Sequence, residues 1–133
     1  MEMIIDFPGG AKVDAHFGPY TIPTDQPPPG GAGSAPAPFE LFLASLGTCA
    51  GIYVLGFCRK RGISTESIRI IQRSHSNSTT GMVEKVELEI QVPPSFPREY
   101  YSALIRSAEL CKVKKTLEQP PQFEIVTKEI QAS

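Results

Sequence analysis

One apolar run, PFELFLASLGTCAGIYVLGFCRKR at residues 38–61, constrains this chain more than any other feature. Its first residue is a proline, which suits the first turn of a helix, and Glu40 places a carboxylate near the positive end of the helix dipole. Arg59, Lys60 and Arg61, followed by Gly62, are typical of a helix end. The sequence therefore predicts one long helix that carries no charge between its two ends.

A helix that is apolar on every side must be covered on every side, by protein or by lipid. The run has about the minimum length for a membrane span, and basic residues follow it. Gly47, Ala50 and Gly51 make it only moderately hydrophobic, however, and the rest of the chain is amphipathic and rich in predicted strands. We therefore favour a buried helix without a membrane partner. Because a small domain has little material to enclose such a helix, we expect a homodimer in which two of these helices pack together.

The remaining sequence predicts a single α+β domain over residues 1–133. Alternating apolar residues indicate strands at 3–7, 11–17 and 20–24 before the helix, and a hairpin of 67–74 with 86–92 after it. A second helix at 97–117 ends before Pro120 and Pro121, and a last strand is expected at 123–130. The predicted order is βββ-α-ββ-α-β.

Residues 25–36, DQPPPGGAGSAP, consist almost entirely of turn residues. Gly30 and Gly31 are not followed by the Gly-Lys-Ser/Thr of a phosphate-binding loop, and the prolines lack the N–H groups that a phosphate needs. A long loop of this kind is either disordered or covers a site. We favour a mobile edge of a pocket.

The charge and the histidines exclude other kinds of partner. Thirteen basic and fourteen acidic side chains give a net charge of −1, so no global field attracts nucleic acid. His16 and His75 complete no recognisable ligand pattern with the cysteines, which lack CxxC spacing. The sequence therefore predicts neither a metal nor a resident cofactor.

The chain has three cysteines, Cys49, Cys58 and Cys111. No basic leader follows Met1, so we expect a cytoplasmic protein with reduced thiols. Cys49 and Cys58 lie on opposite faces of the long helix, because each residue turns it by about 100°. Cys58 is most simply a small buried apolar residue. A Cys49–Cys111 pair is feasible only if the two predicted helices cross there, which spacing leaves open.

The run PFELFLASLGTCAGIYVLGFCRKRGI, the preceding DQPPPGG and the later AELCKVKKTL resemble the OsmC/Ohr superfamily, and most closely its OsmC-like, YhfA-type branch. The resemblance covers nearly the whole chain. It implies an OsmC-like fold, an intertwined homodimer with two long central helices enclosed by antiparallel sheets. It also implies a thiol peroxidase, in which Cys49 attacks an organic hydroperoxide and becomes a sulfenic acid. Cys111 would then close a transient disulfide that an external dithiol reduces.

The chain departs from the hydroperoxide reductases in the two groups that activate their thiolate. No arginine precedes Arg59, and Lys12 is the only basic residue before it. Glu40 stands nine residues before Cys49, whereas the catalytic glutamate of that family stands ten before, where this chain has Phe39. Glu40 is therefore either catalytic or simply a first-turn acid.

A buried thiol without a cationic neighbour has a raised pKa and is inert, so we expect a cation near Cys49. The candidates, from either subunit, are Arg59, Arg61, Lys114 and Lys115. The missing N-terminal arginine also favours an alternative function, a redox-sensing or apolar-ligand-binding homodimer without efficient turnover. A third hypothesis is a membrane-associated protein built around the apolar helix.

Overall fold

The computed structural model describes residues 1–131 and has a mixed α+β architecture. A three-stranded antiparallel sheet comes first, with β1 (Ile4–Gly9), β2 (Lys12–Phe17) and β3 (Tyr20–Thr24) in that order across it. The long helix α1 (Pro38–Lys60) leads to an antiparallel hairpin of β4 (Arg69–Ser76) and β5 (Val83–Gln91). A 3₁₀ turn (Arg98–Tyr100) runs into α2 (Tyr101–Ala108), which is followed by α3 (Lys112–Glu118). The predicted class and the order as far as the hairpin are confirmed.

Both ends of α1 are closed by groups that the sequence supplies nearby. At the start, the Ala37 N–H donates to the Glu40 carboxylate at 2.8 Å. At the end, Gly62 has a φ of 65°, and the Ile63 N–H donates to the Cys58 carbonyl at 2.9 Å. A left-handed glycine of this kind ends a helix by satisfying its last carbonyls.

Only one side of α1 is buried within the chain, along a stripe of Leu46, Ala50, Val54, Phe57 and Cys58. The opposite side, which carries Ala44, Thr48 and Ile52, is exposed. Within residues 1–131, α1 is the one helix long and apolar enough to cross a membrane, a property that core helices of soluble proteins share. A single chain thus does not cover the helix, and the expected homodimer stays a prediction.

The main core lies between α1, the hairpin and α2. Val54, Phe57 and Cys58 of α1 pack with Phe96 and Leu104. The Arg61 guanidinium caps this core, 3.6 Å from the centre of the Phe57 ring and 5.3 Å from that of Tyr100. The basic end of α1 is therefore held against the aromatic edge of the core.

The second predicted helix is wrong in one respect, since it is two helices with a break at residues 109–111. Cys111 has φ −45° and ψ 121°, which is not helical, and occupies the position that caps α3. Its sulfur accepts a hydrogen bond from the Lys114 N–H at 3.4 Å. Because the backbone of Cys111 is not helical, α2 cannot continue through it, and Cys111 lies at the corner between α2 and α3.

The predicted last strand is also wrong for the single chain, because residues 119–131 form no regular secondary structure. Phe123 and Ile125 are 85% and 95% exposed. The alternation of apolar side chains suits a strand, but within residues 1–131 this segment is paired with no other strand. Without a ladder partner, its backbone groups are left to water.

The loop at residues 25–36 is built around a buried carboxylate and is more constrained than the sequence indicates. Asp25 accepts hydrogen bonds from the Ser34 N–H and hydroxyl, at 3.0 and 2.6 Å, and from the Gln26 N–H at 2.7 Å. These bonds lower the pKa of Asp25 to about 2. A Cβ at Gly31 would collide with the Gln26 carbonyl and the Asp25 carboxylate, so the loop needs glycine there. Residues of this loop line a pocket together with the β1–β2 turn, as expected for a pocket edge, and its mobility stays a prediction.

Candidate functional site

Helix α1 and the corner before α3 bring Cys49 and Cys111 close enough that each thiol shifts the pKa of the other. The Cys111 thiol also lies 3.9 Å from the carbonyl of Leu46, one helical turn before Cys49. Both cysteines are free thiols. The crossing of helices that spacing left open therefore occurs, and it occurs at the two cysteines.

Cys49 is the half-buried member of the pair, and its pKa is lowered from the ordinary value. The main cause is the backbone N–H of Val113, which stabilises the thiolate. Partial burial opposes this effect, whereas the Cys111 thiol, the Lys112 N–H and the Lys112 ammonium group add to it. The activating groups thus come from the first turn of α3, which faces Cys49.

Cys111 is the buried member, 3% exposed, and burial raises its pKa. The neighbouring Cys49 raises the pKa of Cys111 further, whereas the Lys114 N–H opposes these effects. Of the two neighbouring thiols, Cys49 is therefore the more acidic and the one that more readily forms a thiolate.

Lys112 and Val113 act on the Cys49 pKa and are not among the residues that the sequence analysis predicted. Of the four cations expected near Cys49, Arg61 stacks on Phe57 and Lys114 lies 3.7 Å from the Glu118 carboxylate. Within the single chain, the cation that acts on Cys49 is Lys112, and a contribution of the four candidates from a second subunit stays a prediction. No sequence signal identified them, because their main contribution comes from backbone N–H groups, which nearly every residue type carries.

Glu40 lies at the start of α1, where its carboxylate accepts the Ala37 N–H. Phe39, which occupies the place of the family's catalytic glutamate, is 53% exposed, and its ring lies 5.5 Å from that of Phe42. Within the described chain, the observed partner of Glu40 is therefore the first turn of its own helix.

A cavity of about 620 Å³ opens beside the thiol pair, between the hairpin and the two C-terminal helices. Cys111 and Leu46 lie in its wall. The other lining residues are mostly apolar, with Glu109 and Lys114 as the charged exceptions: Val86, Leu88, Ile90, Val92, Tyr101, Leu104, Ile105, Ala108 and Leu117. Such a space suits an apolar molecule of small or medium size.

A second group of polar side chains lies on the N-terminal sheet. Ligand atoms of Asp6, Asp14 and His16 fall within 4.8 Å of one another. His16 is hydrogen-bonded through Nε2 to Asp6 at 3.1 Å and through Nδ1 to Thr21 at 3.0 Å. Because these residues are partly or fully exposed, ordinary surface hydrogen bonds of His16 account for the arrangement.

The family model described as OsmC-like protein matches residues 31–126, a span that includes both members of the thiol pair. The chain belongs to the OsmC-like protein family. No curated protein matches this OsmC-like chain in sequence.

Solved structures share the OsmC-like fold at low sequence identity. An osmotic stress induced and detoxification response protein of Psychrobacter arcticus is 20% identical. The alignment covers 86% of this chain and 85% of that chain, with a TM-score of 0.71. An OsmC-like protein of Mycoplasma pneumoniae is 12% identical, with coverages of 90% and 87% and a TM-score of 0.70. The organic hydroperoxide resistance protein OhrB of Bacillus subtilis is 18% identical, with coverages of 90% and 93% and a TM-score of 0.54. These likenesses establish the OsmC-like fold.

One more side chain near the site was missed, and it belongs to the hairpin of this OsmC-like chain. The Gln72 amide donates to the Leu43 carbonyl of α1 at 2.8 Å. Its amide oxygen occupies the space that a Cβ at Gly47 would need. The sequence signal was an amide at a strand position where the preceding inward residue, Ile70, is apolar.

Proposed function

We propose that this protein reduces organic hydroperoxides through Cys49 and Cys111. The observation that carries the proposal is the pairing of a half-exposed thiol of lowered pKa with a buried thiol of raised pKa. A thiolate is the nucleophile in peroxide reduction, and a neighbouring thiol can then resolve the product. The name of the Bacillus subtilis structural neighbour, an organic hydroperoxide resistance protein, supports this choice of substrate.

In the first step, the Cys49 thiolate attacks one oxygen of the peroxide and the O–O bond breaks. Cys49 becomes a sulfenic acid, and the other oxygen leaves as an alkoxide that takes a proton and departs as the alcohol. The N–H groups of Lys112 and Val113 stabilise the thiolate before the attack. They supply part of what the absent N-terminal arginine would provide.

In the second step, the Cys111 sulfur attacks the sulfenic sulfur of Cys49. The leaving hydroxide takes the Cys111 proton and departs as water, and the disulfide forms. An external dithiol then reduces the disulfide by exchange and is itself oxidised to a disulfide. Burial raises the pKa of Cys111, so this thiol is the less readily ionised member of the pair and is suited to the second step.

The apolar cavity beside Cys111 favours a hydroperoxide with an apolar group over hydrogen peroxide. We propose that the enzyme acts as a homodimer in the cytoplasm, without a metal or a resident cofactor. The exposed apolar side of α1, with Ile52 58% exposed, supports a partner subunit.

The test is to mix reduced protein with one equivalent of cumene hydroperoxide and to record the intact mass and the free thiols. We expect rapid loss of two thiols. Cys49→Ser should abolish the reaction, and Cys111→Ser should stop it at a sulfenic acid that dimedone traps. Cys58→Ala, which removes the third thiol, is the matched control. Equal oxidation of the wild type and Cys49→Ser would contradict the proposal.

The same assay tests a catalytic role for Glu40. Glu40→Gln keeps an oxygen acceptor for the Ala37 N–H but removes the charge. If Glu40 takes part in the peroxide step, the rate falls at least tenfold, about 1.4 kcal/mol, with little change in stability. If its role is confined to the first turn of α1, the rate stays within about twofold.

The alternative is a redox-sensing or apolar-ligand-binding homodimer. The observation that favours it is the cavity of about 620 Å³ beside the thiols. It predicts that wild-type protein consumes peroxide no faster than free cysteine, yet binds an apolar fluorescent probe. Weaker binding of that probe after substitution of Leu88, which lines the cavity, would confirm the binding site.

A further inference from the structure

We propose that Gln72 is a positioning residue for the thiol pair: it fixes the Leu43–Gly47 turn of α1 against β4 and so holds Cys49 next to Cys111. The inference deepens the proposed function and rests on it for its biological meaning. Its physical content concerns only the geometry of two cysteines.

Gln72 is a polar residue on an otherwise apolar face of the hairpin. It pairs with Leu88 across the hairpin, and the neighbouring pair on the same face is Ile70 with Ile90. These three apolar side chains pack toward α1 or line the cavity beside the thiols. An amide on such a face costs free energy unless it is hydrogen-bonded, and an aliphatic side chain would avoid that cost.

The amide group is bonded to the helix at one place. Its nitrogen donates to the Leu43 carbonyl, and its oxygen lies against the Cα of Gly47. Leu43 and Gly47 are four residues apart, so they lie one above the other on the same face of α1. The absence of a side chain at residue 47 is what allows the strand to approach the helix here.

The thiol pair lies on the other side of the same helical turn. Cys49 is two residues beyond Gly47, which turns it about 200° around the helix axis. The Cys111 thiol contacts the Leu46 carbonyl at 3.9 Å. The turn is therefore clamped between Gln72 on one side and Cys111 on the other. A shift of α1 away from β4 would change the distance between the two sulfurs.

The test measures the effective concentration of the thiol pair in glutathione redox buffer. One glutathione disulfide oxidises the two protein thiols and releases two glutathione thiols, so the equilibrium constant has units of concentration. No peroxide is involved. A protein without peroxidase activity can therefore still show a positioned pair, and failure of the proposed function is seen separately in the peroxide assay.

Gln72→Met keeps the length of the side chain and removes the amide. We expect the effective concentration to fall about tenfold, because small displacements of reacting groups have large effects. Gln91→Met is the matched control, since Gln91 lies on the same hairpin but bonds to Arg69 and Glu89. An equal change in both variants, or none in Gln72→Met, would overturn the proposal.

Gly47→Ala disrupts the same contact from the helix side, and it keeps the proposal testable if Gln72→Met does not fold. Alanine favours a helix over glycine by about 1 kcal/mol, so the helix itself should gain stability while the effective concentration falls. A purely structural role for Gln72 predicts no loss of effective concentration in a stable Gly47→Ala protein. The effective concentration in the double variant should be no lower than in either single variant, because both substitutions remove the same contact. Additive losses, or a wild-type pair that glutathione cannot oxidise, would also refute the assignment.

Discussion

The Asp25 carboxylate receives both hydrogen-bond donors of Ser34, the backbone N–H at 3.0 Å and the hydroxyl at 2.6 Å. This double contact closes the loop of residues 25–36 on itself, nine residues along the chain. It explains how a segment made of glycine, proline and serine can keep one conformation. It also makes the loop sensitive to the ionisation of a single group.

Stability should therefore fall in strong acid. The pKa of Asp25 is about 2 in the folded chain, below its ordinary value of 3.8, because the Ser34 hydroxyl, the Ser34 N–H and the Gln26 N–H stabilise the charged form. The stabilisation is fully present above pH 3.8 and is lost as the pH falls through about 2. Urea unfolding between these limits should show it. Ser34→Ala should raise the Asp25 pKa and flatten that dependence, whereas Ser74→Ala, an exposed serine on β4, should leave it unchanged.

Val113→Pro should raise the pKa of Cys49. Proline in the first turn of a helix removes an N–H at little cost to the helix, and the Val113 N–H is the main group that lowers this pKa. Val113→Ala keeps the N–H and is the control. The thiolate absorbance followed against pH should shift upward in the proline variant alone. Identical titrations in both variants would mean that the backbone of α3 does not activate the thiol.

Lys112→Gln should have a smaller effect in the same direction. The ammonium group of Lys112 is the weakest of the contributions that lower the Cys49 pKa. Its substitution should slow alkylation of Cys49 by about twofold near neutral pH, and added salt should erase the difference. Lys115→Gln, one turn further along α3, is the control. A larger effect for Lys115 than for Lys112 would contradict the observed geometry.

Arg61→Gln should destabilise the folded chain by about 1 kcal/mol. The guanidinium lies 3.6 Å from the centre of the Phe57 ring and donates to the Phe57 carbonyl at 3.1 Å. Arg59→Gln, an exposed neighbour, is the matched control and should be nearly neutral. Chemical denaturation measures both. Equal midpoints for the two variants would show that the stacked arrangement adds nothing to stability.

The parts of the fold that sequence could predict are those fixed by local pattern. The uncharged run predicts the long helix, and the alternation of Val86, Leu88 and Ile90 predicts β5. The break before α3 could not be foreseen, because Cys111 caps a helix through its sulfur, and cysteine is not among the usual capping residues. The prediction of a strand at 123–130 is wrong for a different reason. An alternating pattern indicates which side chains of a strand would be buried, but not which strand it would pair with.

The candidate site divides in the same way. Family resemblance supplied Cys49 and Cys111, whereas the main groups that act on them are backbone N–H donors, which every residue except proline carries and no sequence pattern marks. Gln72 could be noticed only as an amide on an apolar face. Its contact with Gly47 joins residues 25 positions apart and emerges only when the hairpin meets the helix.

The corner at Cys111 ties chemistry to conformation. The sulfur that would enter a disulfide is the same atom that receives the Lys114 N–H and starts α3. A new S–S bond redirects that sulfur and weakens its hold on the first turn, whose N–H groups face Cys49. If the proposed disulfide forms, we therefore expect oxidation to weaken the contacts that lower the Cys49 pKa, and reduction to restore them.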